Sequence, residues 1–413
     1  MKISKTQCWQ ETVVGEVAAP VRNALVGGPF GSDLVSRDYV PQGVPIIRGT
    51  NMGHGRWVDG EFAYVTSQKA ESLSANCARP GDLVFTQRGT LGQVAVVPNG
   101  RYNRYLVSQS QMKLTPDSAK VDTCFLYYVF TSAEQQAYIR QNGIQTGVPH
   151  TNLGILRNTP LRLPPLTEQK AIAAVLGALD DKIELNRRMN ATLEAMARAL
   201  FQSWFVEPSS LRLPKGWRTA TLGEVAVNPR CGVQPHEIAP GTPYIGLEHM
   251  PRCCIALCDW GHAKDLESNK FEFKRGQILF GKLRPYFHKV GVAPTDGVCS
   301  TDILVIEPKE QTWFGFVLGH VSSVELVNHT STVSTGTRMP RTNWSDISRF
   351  EIPLPPASLA AEFTDQSRPL VEKIIANIHE SRTLATLRDT LLPKLLSGEL
   401  SVAAAAKRVE ARA

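Results

Sequence analysis

The stretch GQILFGKLRP, residues 276–285, contains most of the residues of a phosphate-binding loop. That loop reads G-x-x-x-x-G-K-[ST], and Gly276, Gly281 and Lys282 fall on its fixed positions. Leu283, however, stands where the loop needs a hydroxyl group for a magnesium ion. The residues QILF between the glycines are typical of a buried strand, whereas a phosphate cradle needs a turn with converging N–H groups. We therefore interpret the match as chance and predict a strand.

A second group of residues could bind a metal. His249, Cys253, Cys254, Cys258 and His262 lie close together in the sequence and have the side chains of a tetrahedral zinc site. The thiols do not form a C-x-x-C knuckle, and the residues between them alternate as in a strand. A zinc site and a set of half-buried cysteines acting as small hydrophobic residues both remain hypotheses, and the spacing favours the second.

The composition is that of a soluble globular protein of two or three domains, with 413 residues, 42% of them hydrophobic and 20% charged. The first twenty residues lack the pattern of a signal peptide, and the apolar run at residues 171–179 is too short to span a bilayer. The eight cysteines are mostly scattered, which fits reduced thiols. These features predict a cytoplasmic protein.

The net charge of +7 is unevenly distributed. Residues 1–166 contain 16 Lys and Arg against 11 Asp and Glu, residues 206–357 contain 16 against 15, and residues 167–205 balance at 5 and 5. The excess therefore lies in the parts expected to be globular, as in a protein that faces a polyanion.

The chain is an internal repeat. WQETVVGEVA from Trp9 returns as WRTATLGEVA from Trp217, and GVPIIRGTNM from Gly43 returns as GTPYIGLEHM from Gly241. RPGDLVFTQRG from Arg79 matches KRGQILFGKLR from Lys274, and TGVPHTNL matches TGTRMPRTNW. The offset between the copies falls from 208 to 198 and then to 191 residues, so the insertions lie in the first copy.

A long helix is predicted after each LPP segment, capped at Thr167 in the first copy and at Ser358 in the second. Apolar and small residues follow alternating steps of four and three, which is typical of a coiled-coil seam. Each seam position of the second copy lies 191 residues after its counterpart; the two sets are Ile172, Leu176, Leu179, Ile183, Asn186, Asn190, Leu193, Ala197, Leu200 and Trp204, and Phe363, Ser367, Leu370, Ile374, Asn377, Ser381, Leu384, Arg388, Leu391 and Leu395.

The simplest arrangement pairs these two helices with each other. The asparagines Asn186 and Asn377 would then fix the register, and Pro369 would bend the second helix. Pro393 is predicted to mark the end of its regular part, and the tail SVAAAAKRVEARA is predicted to be a frayed terminus. A rod of about 58 Å would separate two DNA half-sites by at most about 17 base pairs.

These observations predict an α+β fold in which two pseudo-twofold-related globular domains are joined by two long helices pairing as an antiparallel coiled coil. The predicted domains are residues 1–164, the first globular domain; 165–207, the first helical region; 208–356, the second globular domain; and 357–413, the second helical region with the tail.

The layout resembles the specificity (S) subunit of a Type I restriction–modification enzyme over essentially the whole chain. The resemblance rests on the paired TG…TN segments, the LPP exits into helices, the GDLVF and GQILF strands and the closing LLPKLLSGEL, in the same order. It implies that residues 1–164 and 208–356 are target-recognition domains, each followed by a helical conserved region, in a non-catalytic subunit that binds a bipartite, asymmetric target in double-stranded DNA. It also implies two modification (methyltransferase) subunits and restriction (translocase/endonuclease) subunits as partners, to which S-adenosylmethionine, ATP and Mg²⁺ would belong. No cofactor is expected on this chain, and its Pro-Pro pairs lack the polar residue that an adenine methyltransferase needs.

The predicted DNA-binding residues lie in two matched regions, because cations contact phosphates and planar or forked side chains contact base edges. The first set follows the matched strands: Gln87 and Arg88, then Lys282, Arg284 and Tyr286. The second lies in the matched Thr-Gly segments: His150, Thr151 and Asn152, then Arg338, Arg341, Thr342 and Asn343. A third, weaker set is Arg48, Asn51, His54 and Arg56, with Glu248, His249 and Arg252 in the second copy.

Residues that differ between the copies are the better candidates for specificity, since the two half-sites differ. Asn152 and Asn343 are shared, so they could instead cap turns. The glycine-rich GGPFGSD, residues 27–33, is interpreted as a turn. Two further hypotheses are a structural tether without DNA binding and a nucleotide-dependent enzyme that uses the Gly276 loop.

Overall fold

A computed structural model describes residues 9–53, 55–144, 147–210, 212–264, 266–334 and 339–410. The chain divides into two compact units, with residues 1–184 and 383–413 in unit 1 and residues 185–382 in unit 2. Both long helices cross the boundary, so each unit contains part of each helix. Within the described ranges, no helix combines the length and the apolar character needed to cross a bilayer.

The first copy of the repeat contains eleven strands in the described residues: β1 Gln10–Val13, β2 Leu25–Gly27, β3 Tyr39–Val40, β4 Val44–Ile47, β5 Ala63–Val65, β6 Cys77–Ala78, β7 Leu83–Thr86, β8 Val94–Val96, β9 Tyr105–Val107, β10 Gln111–Leu114 and β11 Pro160–Leu163. Its helices are α1 Ser67–Ser72, α2 Thr123–Thr131, α3 Ala133–Asn142, α4 Leu153–Arg157 and the long α5 Leu166–Phe201.

The second copy contains β12 Arg218–Thr221, β13 Ala226–Val227, β14 Gly232–Val233, β15 Pro243–Ile245, β16 Gly261–His262, β17 Lys270–Phe273, β18 Ile278–Gly281, β19 Val290–Val292, β20 Gly297–Cys299, β21 Ile303–Pro308 and β22 Glu351–Leu354. Its helices are α6 Phe314–Val321, α7 Val324–Val333, α8 Trp344–Ser348, the long α9 Ala357–Leu396 and α10 Val402–Glu410.

The two units have corresponding sheets. In unit 1 the orders are β1-β11, β2-β10-β7-β8 and β3-β5-β4-β9-β6; in unit 2 they are β12-β22, β13-β21-β18-β19 and β14-β17-β20-β15-β16. Both four-stranded sheets are antiparallel, and β7 and β18 are wholly buried central strands. The predicted strand at QILF is therefore confirmed, because Ile278–Gly281 is β18.

In both units, segments of the two long helices run antiparallel. In unit 1, Asp180 of α5 binds Arg388 of α9, with Nη1 at 2.7 Å from Oδ1. In unit 2, Asn186 of α5 lies beside Ser381 of α9. Asn190, one turn after Asn186, lies beside Asn377, which is one turn before Ser381. All twenty predicted seam positions are buried or half-buried. The α+β class and the antiparallel pairing of the long helices are confirmed.

The ends of the long helices differ from the predictions. Thr167 and Ser358 are the second residues of α5 and α9 rather than their caps, because the prolines just before these helices offer their carbonyls to the first helical N–H groups. The helix α9 continues through Pro369 and Pro393 to Leu396, so the end predicted at Pro393 is three residues early.

The prediction of a frayed tail is wrong. Residues 402–410 form α10, and Ala405 is fully buried in the core of unit 1, with Val402 and Val409 packed against it. A short alanine-rich helix gains its stability from this packing rather than from its own propensity.

Candidate nucleic-acid interface

The predicted DNA-binding residues of unit 1 come from two loops that lie side by side. Gln87 and Arg88 directly follow β7, and the N–H of Thr151 donates to the carbonyl of Gln87 at 2.9 Å. Gly89 N–H donates to Pro149 at 3.1 Å, and Arg88 lies opposite His150 in an isolated antiparallel bridge. The fold thus brings together two segments more than fifty residues apart in sequence.

Unit 2 repeats this hydrogen-bond pattern. The N–H of Thr342 donates to Lys282 at 3.1 Å, and that of Arg284 donates to Pro340 at 2.7 Å. Leu283 lies opposite Arg341, as Arg88 lies opposite His150. In each copy, therefore, a strand end and a downstream loop form one short two-stranded edge.

The pairing refines which residues correspond between the copies. Gln87 corresponds to Lys282, Arg88 to Leu283 and His150 to Arg341. Arg284 corresponds to Gly89, and both have a left-handed backbone, with φ of 52° and 98°. A non-glycine residue in this region is uncommon, so Arg284 occupies a position where the first copy has the residue that the backbone favours.

The exposed side chains at the two edges differ in chemistry. In unit 1, Arg88 is exposed, and Gln87 and His150 are half-buried. In unit 2, Arg341 is 51% exposed and its Nε donates to the Asp302 carboxylate at 3.1 Å. Tyr286 is 53% exposed on a short 3-10 turn, and the half-buried Arg284 guanidinium lies 6.0 Å from the centre of the Phe287 ring.

The four shared residues of the Thr-Asn pairs hold the loops. Asn152 accepts from Ile155 N–H at 2.9 Å and Asn343 from Asp346 N–H at 3.2 Å, so each caps the short helix that follows. Thr151 and Thr342 are buried, with exposed fractions of 7% and 2%. These positions give the edges their shape, and their role as DNA contacts stays a prediction.

Two predicted residues, Arg338 of the second set and His54 of the third, lie outside the described residues. The third set is corrected at two other positions. Asn51 is 1% exposed, and its amide caps Arg48 N–H and donates to two backbone carbonyls. Arg56 is 7% exposed and binds Tyr128 and Asp181, so neither residue can contact DNA without leaving the protein core.

The third set also includes Glu248, His249 and Arg252 of the second copy, which lie within five residues in the sequence. Arg252 stacks on the Phe287 ring, with the guanidinium carbon 4.0 Å from the ring centre. His249 accepts from Gly246 N–H at 2.9 Å, and Glu248 is 66% exposed. Arg48 is half-buried, and its Nη2 donates weakly to Glu61 at 3.4 Å.

Two positions that hold the edges were missed in the sequence. The Ser110 carbonyl accepts from Gln87 and Arg88 N–H at 2.6 and 3.2 Å, and the Asp302 carbonyl accepts from Lys282 N–H at 2.9 Å. They occupy corresponding places, 192 residues apart, in the turns that precede β10 and β21. Aligning SQSQ with STDI in the repeat would have found them.

The histidine and cysteine group has other partners. Nδ1 of His262 lies 3.1 Å from the Gly241 carbonyl, and Nδ1 of His249 is taken by Gly246. Burial, and then the nearby Glu194, raise the pKa of Cys254 to about 12, which keeps this thiol protonated. No group of three or more His, Cys, Asp or Glu side chains is placed to hold a metal ion in the part of the chain that the structure describes.

Residues 37–195 match the model of the Type I restriction modification DNA specificity domain. The chain is 26% identical over 416 residues to the Type I restriction enzyme MjaIX specificity subunit of Methanocaldococcus jannaschii, covering 94% of this chain and 92% of that protein. It is 26% identical over 410 residues to the Type I restriction enzyme EcoDI specificity subunit of Escherichia coli, covering 86% of this chain and 89% of that protein.

The fold is similar to that of the crystal structure of a Type I restriction-modification S subunit from M. genitalium. The TM-score is 0.60 at 16% identity, and the match covers 96% of this chain and 98% of the other. The chain is therefore similar, in sequence along most of its length and in fold, to specificity subunits of Type I restriction–modification enzymes, the family that its repeat resembles.

Proposed function

We propose that the chain binds a bipartite, asymmetric DNA target, with one half-site read by the paired-loop edge of unit 1 and the other by that of unit 2. The observation that carries this proposal is the repeated pair of edges. The backbone pattern is the same in both units, whereas the side chains at the edge are Arg88, Gln87 and His150 in one and Arg341, Lys282 and Tyr286 in the other. A shared frame with different side chains suits two different half-sites.

The chemistry of these side chains suits double-stranded DNA. An exposed arginine can donate two hydrogen bonds to guanine, and glutamine can make two to adenine. Asp302 holds Arg341 in one orientation before DNA binds, which lowers the entropy lost on binding. Arg284 stays in the proposed site, Arg338 stays a prediction from the sequence alone, and Thr151, Asn152, Thr342 and Asn343 position the loops.

We further propose that the chain is non-catalytic and carries two modification subunits and the restriction subunits, as the resemblance implies. S-adenosylmethionine, ATP and Mg²⁺ would then act on those partners. The exposed faces of α5 and α9 are available for docking, since their buried faces are used for pairing with each other within each unit.

The test compares Arg88→Ala with Arg341→Ala in the chain assembled with its modification subunits. The target is first obtained by mapping methylated adenines in cells that express the wild-type complex. Arg88→Ala is expected to relax the sequence at one half-site and Arg341→Ala at the other, each with about a ten- to hundred-fold loss of specific affinity.

The control is Arg408→Ala, which removes an exposed arginine of α10 far along the chain from either edge. It should keep the wild-type target and affinity. Assembled complex that binds DNA without dependence on salt, or two edge variants that leave both half-sites unchanged, would contradict the proposal.

A further inference from the structure

A segment of unit 1 has no counterpart in the described residues of unit 2. The repeat offset falls from 208 at Trp9 to 198 at Gly43, so the first copy has ten extra residues between these points. The strand β2 lies there and pairs with β10 from Leu114 to Met112. In unit 2, β13 pairs with β21 only at Pro308 and Glu307 and then leaves that sheet.

The loop that follows β2 is held by hydrogen bonds and by a buried residue at each end. Gly28 N–H donates to Gln111 at 2.8 Å, and a Cβ at Gly28 would lie 1.9 Å from the Ser108 carbonyl oxygen, so only glycine fits. Pro29 and Leu34 are buried at the two ends of the loop. Between these anchors, Phe30 is 85% exposed.

One turn of the chain holds both this loop and the proposed DNA-binding edge. In the turn before β10, the Gln109 amide donates to the Gly31 and Leu34 carbonyls at 3.0 and 3.1 Å. The next residue, Ser110, accepts from the N–H groups of both Gln87 and Arg88. The β2 and β7 strands flank β10 and point the same way, so their loops leave the sheet at the same end.

We infer that Phe30 is a base-contacting residue that determines the sequence read by unit 1. This inference rests on the proposed function. An exposed aromatic ring and an exposed arginine at the same end of a sheet are side chains by which proteins contact bases, through the thymine methyl group, by stacking, or by wedging between base pairs. Hydrogen bonds from Gly28 and Gln109 hold the loop backbone on either side of the ring, and the insertion occurs in one copy, so its effect falls on one half-site.

The experiment uses the assembled complex and the mapped target in a fluorescence anisotropy assay at fixed salt. Phe30→Ala is expected to weaken binding about ten-fold and to relax the sequence of the half-site that Arg88→Ala also relaxes. Phe30→Tyr keeps the ring and should keep the affinity. Tyr39→Ala, at a 40% exposed aromatic residue in the other sheet, should bind as the wild type does.

Each outcome decides the inference. Phe30→Ala with wild-type affinity and wild-type sequence preference overturns it. Phe30→Ala that loses its modification subunits on gel filtration, with DNA binding in proportion to the complex that remains, also overturns it, because Phe30 is then a protein contact. Failure of the wild-type complex to bind DNA in a salt-dependent way would instead remove the proposed function.

Discussion

The junction between the long helices and the globular fold differs in character between the two units. In unit 1, Tyr128 donates to Asp180 at 2.6 Å, and Asp180 also binds Arg388. Tyr128 lies four residues before Ser132, the N-cap of α3. In unit 2, the residue four positions before Ser323, the N-cap of α7, is Gly319, and a Cβ there would lie 2.1 Å from the Phe201 ring. One junction is a polar network and the other a cluster of rings.

The same repeated backbone accommodates both junctions because several residues of the junction differ together between the two copies. Positions 191 residues from Asp180 and Arg388 are Val371 and Ala197. Burial, and then the charge of Asp180, raise the pKa of Tyr128, so its hydroxyl keeps its proton and donates. The comparison teaches that duplicated copies keep their backbone pattern while whole groups of contacts are exchanged together.

The largest effect is expected at Phe205, the centre of the ring cluster. It is fully buried, and its ring centre lies 4.9 Å from those of both Phe316 and Phe363. Phe205→Ala should lower the free energy of unfolding of unit 2 by about 4 kcal/mol, since it opens a cavity that other rings line. Urea denaturation followed by tryptophan fluorescence measures this, because Trp204 and Trp217 contact the same ring.

The matched control is Leu396→Ala, 191 residues later in unit 1. Leu396 is only partly buried against its core, so the loss should be less than half as large. Equal losses at the two positions would show that the ring cluster has no special place in the stability of unit 2.

The next effect concerns the polar junction of unit 1. Arg388→Ala leaves the Asp180 carboxylate, which is 10% exposed, without its cation, and should cost on the order of 3 kcal/mol. Adding Asp180→Val should restore part of this, because it removes the unpaired carboxylate, while the buried Tyr128 hydroxyl loses its acceptor. Thermal and urea unfolding of the single and double variants gives the coupling, and a double variant as unstable as the single one would refute the exchange.

His320 gives a pH-dependent form of the comparison. It is buried among rings of unit 2, and burial lowers its pKa to about 3, whereas the matching residue of unit 1 is Val129. Below the ordinary histidine pKa of about 6.5 the unfolded chain takes up a proton that the folded chain excludes, so stability falls as pH falls from 6.5 towards 3. Between pH 7 and pH 5 the loss should be about 2 kcal/mol.

The variant His320→Val isolates this contribution. It should reduce the difference between the free energies of unfolding at pH 7 and pH 5 by about 2 kcal/mol, measured by urea denaturation at both pH values. An unchanged difference would mean that His320 is protonated in the folded protein.

The sequence predicted the features that depend on local periodicity. The helical seam was predicted in register, since a repeat of 3.5 residues is visible in a single segment, and no seam position is exposed. The loops with Gln87, His150, Lys282 and Arg341 were predicted as sites, and the structure places them in matching pairs.

Features that depend on distant contacts were missed. Arg56 was predicted to face DNA, but its partners Tyr128 and Asp181 lie 72 and 125 residues further on. The helix α10 was missed because its apolar contacts are with the core of unit 1. Phe30 was missed because the residue type alone does not show that a side chain is exposed. In physical terms, burial and exposure are decided by tertiary packing, which one segment does not show.

The smallest effect is expected at two hydrogen bonds of the seam in unit 2. Asn377 donates to Asn190 at 2.9 Å, and its counterpart Asn186 donates to Ser381, the counterpart of Asn190, at 3.2 Å. Asn190→Ser makes the two pairs alike and should change the free energy of unfolding by about 1 kcal/mol or less. Asn190→Leu instead leaves the buried amide of Asn377 without this acceptor and should cost about twice as much. If both variants lose the same stability in urea denaturation, the hydrogen bond does not hold this pair, and packing alone accounts for the register.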